Sequence, residues 1–224
     1  MKGTIVNVLA IVIASLIGTS LKERFPENVR ITVMQGLAMV VLLIGLKMAL
    51  STSNILILLV SIVIGSIIGE AIKIEERLEN IGKNLERKLG SHDAVARAFL
   101  TSSLVFCVGP MAIIGAIQDG LNNDAALLYI KSMLDGTAAL AFSSVMGIGV
   151  IFSSISVLVY QGSITILAST ISPHLTEKVV NEIVSVGGLL IFGIGINLLE
   201  IKKIKVGNML PALIISPILA KLFL

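Results

Sequence analysis

Apolar segments about as long as a bilayer is thick recur along nearly the whole chain, and this feature narrows the folds open to it more than any other. A helix rises about 1.5 Å per residue, so some 20 apolar residues cross a hydrocarbon layer roughly 30 Å deep. Mean hydropathy is +1.01, and charged residues make up 14% of the chain against roughly 25% in a soluble domain. The composition therefore specifies an all-α polytopic membrane protein. At 224 residues there is room for about eight spans and little else, so residues 1–224 read as one transmembrane domain without a soluble module. The net charge of +3 and pI near 9.1 belong to basic loops at a membrane, not to a nucleic-acid surface. With one cysteine there is no internal disulfide. His92 and His174 are far apart in loops and form no metal motif, and no cofactor is expected.

The first span covers about residues 3–21. It resembles a secretory signal with Lys2 as the basic region, but Lys22, Arg24 and Arg30 follow it and are expected to hold its end in the cytosol, making it a retained span. Pro26 suits the start of the next helix. Span 2 covers about 31–50, with Lys47 near enough to its end to snorkel, and STSN (51–54) leads into span 3 at 55–72. There Gly65 and Gly69 form a GxxxG pattern suited to close helix packing. Residues 73–90 change character: Ile74, Leu78, Ile81, Leu85 and Leu89 line one face and charged residues fill the other. This is an amphipathic helix lying in the interface, ended by Gly90-Ser91-His92-Asp93. Further spans are expected at about 94–117, 125–145, 147–171, 183–199 and 207–223.

Charge orients this layout. With the N-terminus outside, loops 22–30, 73–97 and 202–205 are all cytoplasmic, and they hold twelve of the seventeen Lys and Arg residues. Segments 51–54 and 118–124 hold none, in accord with the positive-inside rule. A faint internal echo runs alongside. Glu27-x-Val29 and Ile44-Gly45 return 150 residues later as Glu177-x-Val179 and Ile194-Gly195, and Lys2-Gly3-Thr4-Ile5 resembles Gln161-Gly162-Ser163-Ile164. Spans 1–3 and 6–8 would then form an inverted repeat, an arrangement common in transporters.

The least lipid-like stretch is 100–137, and the candidate site is placed there. It holds Cys107, the helix-breaking Gly109-Pro110, Asp119 and Asp135 each followed by Gly, and Lys131 between apolar runs. Asp135 lies about 15 Å into its span, near the midplane, where a lone carboxylate costs several kcal/mol. Lys131 one turn earlier allows two readings, a neutralising i,i+4 ion pair or a cation or proton site built on Asp135. Gln118-Asp119 sits at the outer boundary if span 4 is continuous. If Gly109-Pro110 splits the helix, Asp119 lies deeper and freed carbonyls offer ion ligands. Ser102 and Ser103 add hydroxyls, with Ser132, Thr137, Ser143 and Ser144, although such groups commonly bond back to the preceding turn. Gln35, Gln161, Asn7 and Asn197 either line a polar path or hold helices together. Cys107 reads as a small buried residue.

The runs KGTIVNVLAIVIASLIGTSLK, FCVGPMAIIGAIQDG, KSMLDG, YQGSIT and INLLEIKKIKVGNMLPAL span essentially the whole chain. In them it resembles the YqgA/YdfK-type bacterial inner-membrane family, a family of unknown function described as transport or integral membrane proteins. The resemblance implies a bacterial or archaeal plasma membrane and brings no substrate or catalytic residue. HExxH, GxSxG and P-loop patterns are missing, so the expectation is a non-enzyme. It is read as a secondary transporter or channel for a small solute, with an ion as the expected cargo, the lipid bilayer as its surroundings and helix-packing glycines that permit a homo-oligomer. The alternatives are a membrane scaffold or sensor and, third, an aspartyl-type intramembrane protease. The protease reading lacks both the YD and the GxGD sequences.

Overall fold

The computed structural model describes residues 1–22, 26–89 and 95–223, and among these it is helical with no strand. In chain order the helices are α1 (Lys2–Lys22), α2 (Glu27–Ala49), α3 (Ile55–Ile72), α4 (Ile74–Leu89), α5 (Val95–Cys107) and α6 (Pro110–Asn122). They continue as α7 (Ala126–Met146), α8 (Ser153–Ile166), α9 (Ala168–Ile171), α10 (Glu177–Leu198) and α11 (Ala212–Phe223). Short 3-10 turns at Ile148–Phe152 and Val206–Met209 extend α8 and α11 towards their N-termini. The all-α membrane architecture is borne out. The Gly90–Asp93 cap lies outside the described residues.

Among the described residues six helices, counting those 3-10 extensions, are long and apolar enough to cross a membrane, and the pair α5–α6, bent by 60°, makes a seventh if it is one span. The remaining long helix, α7, has 21 residues, or about 31 Å, and is less apolar because it carries Lys131 and Asp135. Two expected starts move, and the span expected to end at 117 runs to Asn122. Span 2 begins at Glu27, not Ile31, and span 7 at Glu177, not Ile183. In each case a polar first turn continues the apolar helix; Thr176 caps α10 through its hydroxyl, which accepts from the N–H of Val179. Hydropathy cannot see such turns, because their polar side chains are solvated while their backbone is helical.

The chain divides into two compact units. The first comprises residues 1–37 and 81–172. Here α1 runs parallel to α7: Gly3 abuts Leu128, Ala10 meets Gly136, and Gly18 meets Leu140 and Ser143. The buried stripe of α1 is Gly3, Thr4, Asn7, Ile11, Ser15 and Gly18, whereas Ile5, Leu9, Ile13 and Leu16 are exposed. Polar and small residues inside with apolar ones outside is membrane logic, since lipid removes any drive to bury Leu and Ile. α8 runs antiparallel to α1, with Thr4 near Thr165 and Asn7 near Gln161.

The second unit comprises residues 38–80 and 173–224. Gly45 of α2 packs on Phe192 of α10, while Gly195 of α10 packs on Leu42 of α2. Phe192 and Gly195 stand 150 residues after Leu42 and Gly45, so the contact is reciprocal and the helices antiparallel. α3 crosses α11 in the same sense: Gly69 approaches Asn208, Gly65 approaches Ala212, and Ile57 clusters with Ala220. This reciprocity is what an inverted repeat produces. The echo proposed for Lys2–Ile5 needs correction, because Gln161 lies well inside α8 and does not open a helix. The same offset of 150 places α1 over residues 152–172, which α8 and α9 occupy.

Candidate functional site

The site begins with a backbone defect. In an unbroken helix the carbonyl of Phe106 would accept from the N–H of residue 110, and Pro110 has none. Gly109 precedes Pro110 in an extended conformation, Pro110 takes the first position of α6, and the helix turns by 60°. An orphan carbonyl inside a membrane needs a donor. Lys131 of α7 supplies it, with Nζ 2.7 Å from the Phe106 oxygen.

The same ammonium is paired with Asp135 Oδ2 one turn along α7. Asn7 of α1 reaches that oxygen from the other side, its Nδ2 donating at 2.9 Å and also to Gln161 Oε1 of α8 at 3.4 Å. Gln161 Nε2 donates to Thr4 Oγ1 at 3.1 Å, and Thr165 lies beyond, its hydroxyl donating to the Gln161 carbonyl at 2.9 Å. A continuous polar chain thus joins α5, α7, α1 and α8. Asn7 is fully buried, and its Oδ1 finds no partner among the described residues. The Asp135 side chain keeps 10% of its surface open, and its contacts above all fall on Oδ2.

Asp119 occupies a different place. Its Oδ2 accepts from the N–H of Gly3 at 3.1 Å and lies 2.9 Å from the Met1 amino nitrogen. It therefore sits at the positive end of α1 and is 2% exposed. Among the described residues Asp119 and Asp135 share no partner, and they contact α1 about one turn apart. Gln118 is half-buried, and its carbonyl closes the end of α6. Ser102 donates to the Ala98 carbonyl within its own helix, whereas Ser103 bonds Ser156 of α8 at 2.9 Å. Ser132, Thr137, Ser143 and Ser144 also bond back to their own helix. Gln35 is exposed, and Asn197 fastens Ile204 in the loop after α10. An open groove of about 500 Å³ on α8, lined by residues that include Ile155, Val159 and Tyr160, is largely apolar. No group of three or more His, Cys, Asp or Glu residues suited to a metal occurs among the described residues.

Two participants were hidden in the sequence. Asn7 looked like any polar residue of a span, and only the position of α1 between α7 and α8 makes it the hub. Glu182 falls just before the expected span at 183–199, yet it is fully buried in α10. Its carboxylate accepts from the Thr52 hydroxyl at 2.8 Å and from the N–H groups of Ser53 and Asn54 at 2.6 and 3.1 Å. The signal was there in STSN (51–54), an uncharged turn rich in donors.

The second unit also carries a clasp around the loop after α10. Glu75 accepts from the N–H of Gly207 at 2.7 Å and its own N–H donates to Asn208 Oδ1, while Lys203 pairs with Glu79 at 2.6 Å. Burial raises the carboxyl of Glu75 above its ordinary range despite the Gly207 bond. The hydrogen bond from Lys203 to Glu79 raises the lysine above its own.

Residues 2–221 match the family described as protein of unknown function (DUF554). The chain belongs to the DUF554 family. Within DUF554 it is similar to the uncharacterized membrane protein YdfK of Bacillus subtilis (strain 168), 31% identical over 222 residues that cover 97% of this chain and 95% of YdfK. It is also similar to the uncharacterized protein YqgA of Escherichia coli (strain K12), at 28% over 221 residues, 96% of this chain and 94% of YqgA. No solved structure matches it. The resemblance read from the sequence is thereby established, and this DUF554 chain is a membrane protein.

Proposed function

We propose that this DUF554 protein carries a small cation across the membrane through the polar chain between the broken pair α5–α6 and helices α7, α1 and α8. The observation that supports this is the placement of one carboxylate and one ammonium, Asp135 and Lys131, within an apolar helix beside a backbone break. Ionisable groups at hydrocarbon depth cost several kcal/mol and are retained chiefly where ions or protons pass. The Asp135 carboxylate and the Phe106 carbonyl, which meet at the Lys131 ammonium, are hard oxygen donors of the kind small cations prefer.

A carrier accounts for the site better than an enzyme does. Two-carboxylate hydrolysis needs both acids to share a proton, whereas Asp119 serves the start of α1 and Asp135 serves Lys131. The favoured setting is a bacterial or archaeal plasma membrane, with loops 22–30, 73–97 and 202–205 cytoplasmic. Contacts of Lys203 with Glu79 and of Lys205 with Glu70 support a common side for the second and third of these.

Flux of monovalent and divalent ions into proteoliposomes, wild type beside Asp135→Asn, tests the proposal. Flux present in wild type and lost in a folded variant supports it. A well-folded wild type that moves no ion overturns it in favour of a scaffold.

A further inference from the structure

Helix α2 carries an amide where a lipid-facing helix should carry hydrocarbon. Arg30 and Lys47 stand near its two ends, with no charged residue between them. Gln35 lies about 7.5 Å along the axis from Arg30, and Lys47 about 18 Å further on. The Gln35 side chain is exposed and has no hydrogen-bond partner among the described residues; lipid tails offer it neither donor nor acceptor. The neighbouring glycine is equally out of place. A Cβ at Gly3, Gly18, Gly45, Gly65 or Gly195 would fall 2.0 to 2.6 Å from an atom of another helix, so close packing explains those glycines. A Cβ at Gly36 would meet no atom within 4 Å. Gly109 shares that openness, but it lies at the break before Pro110. Glycine inside a helix is destabilising relative to alanine, and nothing within the protomer compensates for Gly36. Thr32, Gly36, Met39 and Leu43 follow one another at helical spacing on the face turned away from the buried Ala38, Val41 and Gly45, and Gln35 stands one turn from both Thr32 and Met39. Met39 and Leu43 are 61% and 67% exposed.

We propose that the protein forms a homodimer in the membrane through this face of α2, with Gly36 at the helix crossing and the two Gln35 amides hydrogen-bonded across it. A second copy is the occupant that fits both residues. A glutamine amide holds donors and an acceptor together, so across a two-fold axis each Gln35 donates to the other's oxygen and the contact is complementary to itself. Gly36 at the same level lets the two backbones approach closely, as Gly65 of α3 does against Ala212 of α11. An acyl chain could fill the space at Gly36 but would leave Gln35 without a partner. Thr32 adds a small side chain and needs no partner, because its hydroxyl donates to the Asn28 carbonyl at 3.0 Å. No residue of the polar chain around Asp135 belongs to α2, so the dimer is independent of the transport reading.

The test uses full-length protein with one fluorophore per chain, reconstituted in liposomes over a range of protein-to-lipid ratios. Energy transfer between differently labelled chains, with bleaching steps counted, should show two copies per complex. Gln35→Leu removes the amide and keeps an apolar helix; it should weaken association about 3–30-fold, the span for interhelical hydrogen bonds in membranes. Gly36→Leu should weaken association at least as much by holding the backbones apart. Its monomer, diluted in detergent, should unfold no earlier than wild type, because the new side chain enters open space. Leu56→Ala, at an exposed position of α3, should leave association unchanged. A monomeric wild type overturns the proposal, as does a dimer that neither α2 substitution weakens or that Leu56→Ala weakens equally. A Gly36→Leu monomer that unfolds early also overturns it, since Gly36 would then pack within its own chain. Ion flux plays no part in these outcomes, so they leave the transport reading where it stands.

Discussion

Lys131 donates to the carbonyl oxygen of Phe106 at 2.7 Å, the backbone acceptor that Pro110 leaves without an N–H. The lysine thereby satisfies a helix break on one side and a buried carboxylate, Asp135, on the other. Losing it would orphan the carbonyl and leave the carboxylate without its countercharge, with only the Asn7 amide bonded to it.

Lys131→Met should therefore cost about 3–5 kcal/mol, the usual result of breaking a buried ion pair from one side. Replacing Asp135 as well, in Lys131→Met with Asp135→Leu, should recover much of that loss because no unpaired charge remains. Unfolding in detergent, run as a double-mutant cycle, checks both. Additive losses would show that the two groups do not act as a pair.

Pro110→Ala restores an N–H opposite Phe106. The new backbone bond should compete with Lys131, reduce the 60° bend between α5 and α6, and depress ion flux. Distances between spin labels at the far ends of α5 and α6 report the bend. An unchanged distance would mean that Gly109 and packing, not the missing donor, set the angle.

Asn7→Leu removes the hydrogen bonds to Asp135 and Gln161. Interhelical bonds in membranes average about 0.6 kcal/mol and those to charged groups about 1.5–3, so the loss should be roughly 1–3 kcal/mol. Ser15→Ala, on the same buried face but with no partner for its hydroxyl among the described residues, should be close to neutral. Equal losses at the two positions would argue for packing alone.

In the second unit, Glu182→Ala leaves the Thr52 hydroxyl and two N–H groups of the turn before α3 without their acceptor. A destabilisation of about 2–4 kcal/mol follows from charge-assisted bonds lost at a buried position. Faster hydrogen exchange at Ser53 and Asn54 should accompany it. Unaltered exchange there would show that the turn holds itself.

The pH dependence of the clasp has a definite sign. Burial raises the carboxyl of Glu75 above its ordinary value of 4.5, so in that window the folded state binds more protons than the unfolded one. This group's contribution to stability therefore declines as pH rises from its unfolded value through its folded one. Glu75→Gln should remove that decline while leaving an acceptor for Gly207. Unfolding midpoints of wild type and variant from about pH 4 to 7 check it; parallel curves would overturn it.

What the sequence determined by itself was whatever depends on local chemistry and transfer energy. Runs of apolar residues fix where spans lie, Pro110 fixes where a helix breaks, and the spacing of Lys131 and Asp135 puts both on one face whatever surrounds them. The amphipathic α4 and the packing role of Gly65 and Gly69 were legible for the same reason, since periodicity and side-chain size are properties of short segments. The tertiary structure alone decided the partners. Nothing local distinguishes Asn7, which joins Asp135 to Gln161, from Asn197, which fastens a loop. Nor does anything local say that Asp119 caps α1 while Asp135 meets Asn7, or that Glu182 is buried beneath a turn 130 residues away. Those outcomes depend on which helices lie side by side. Lipid favours no particular apolar face over another, so that choice falls to small residues and a few hydrogen bonds contributed from distant parts of the chain.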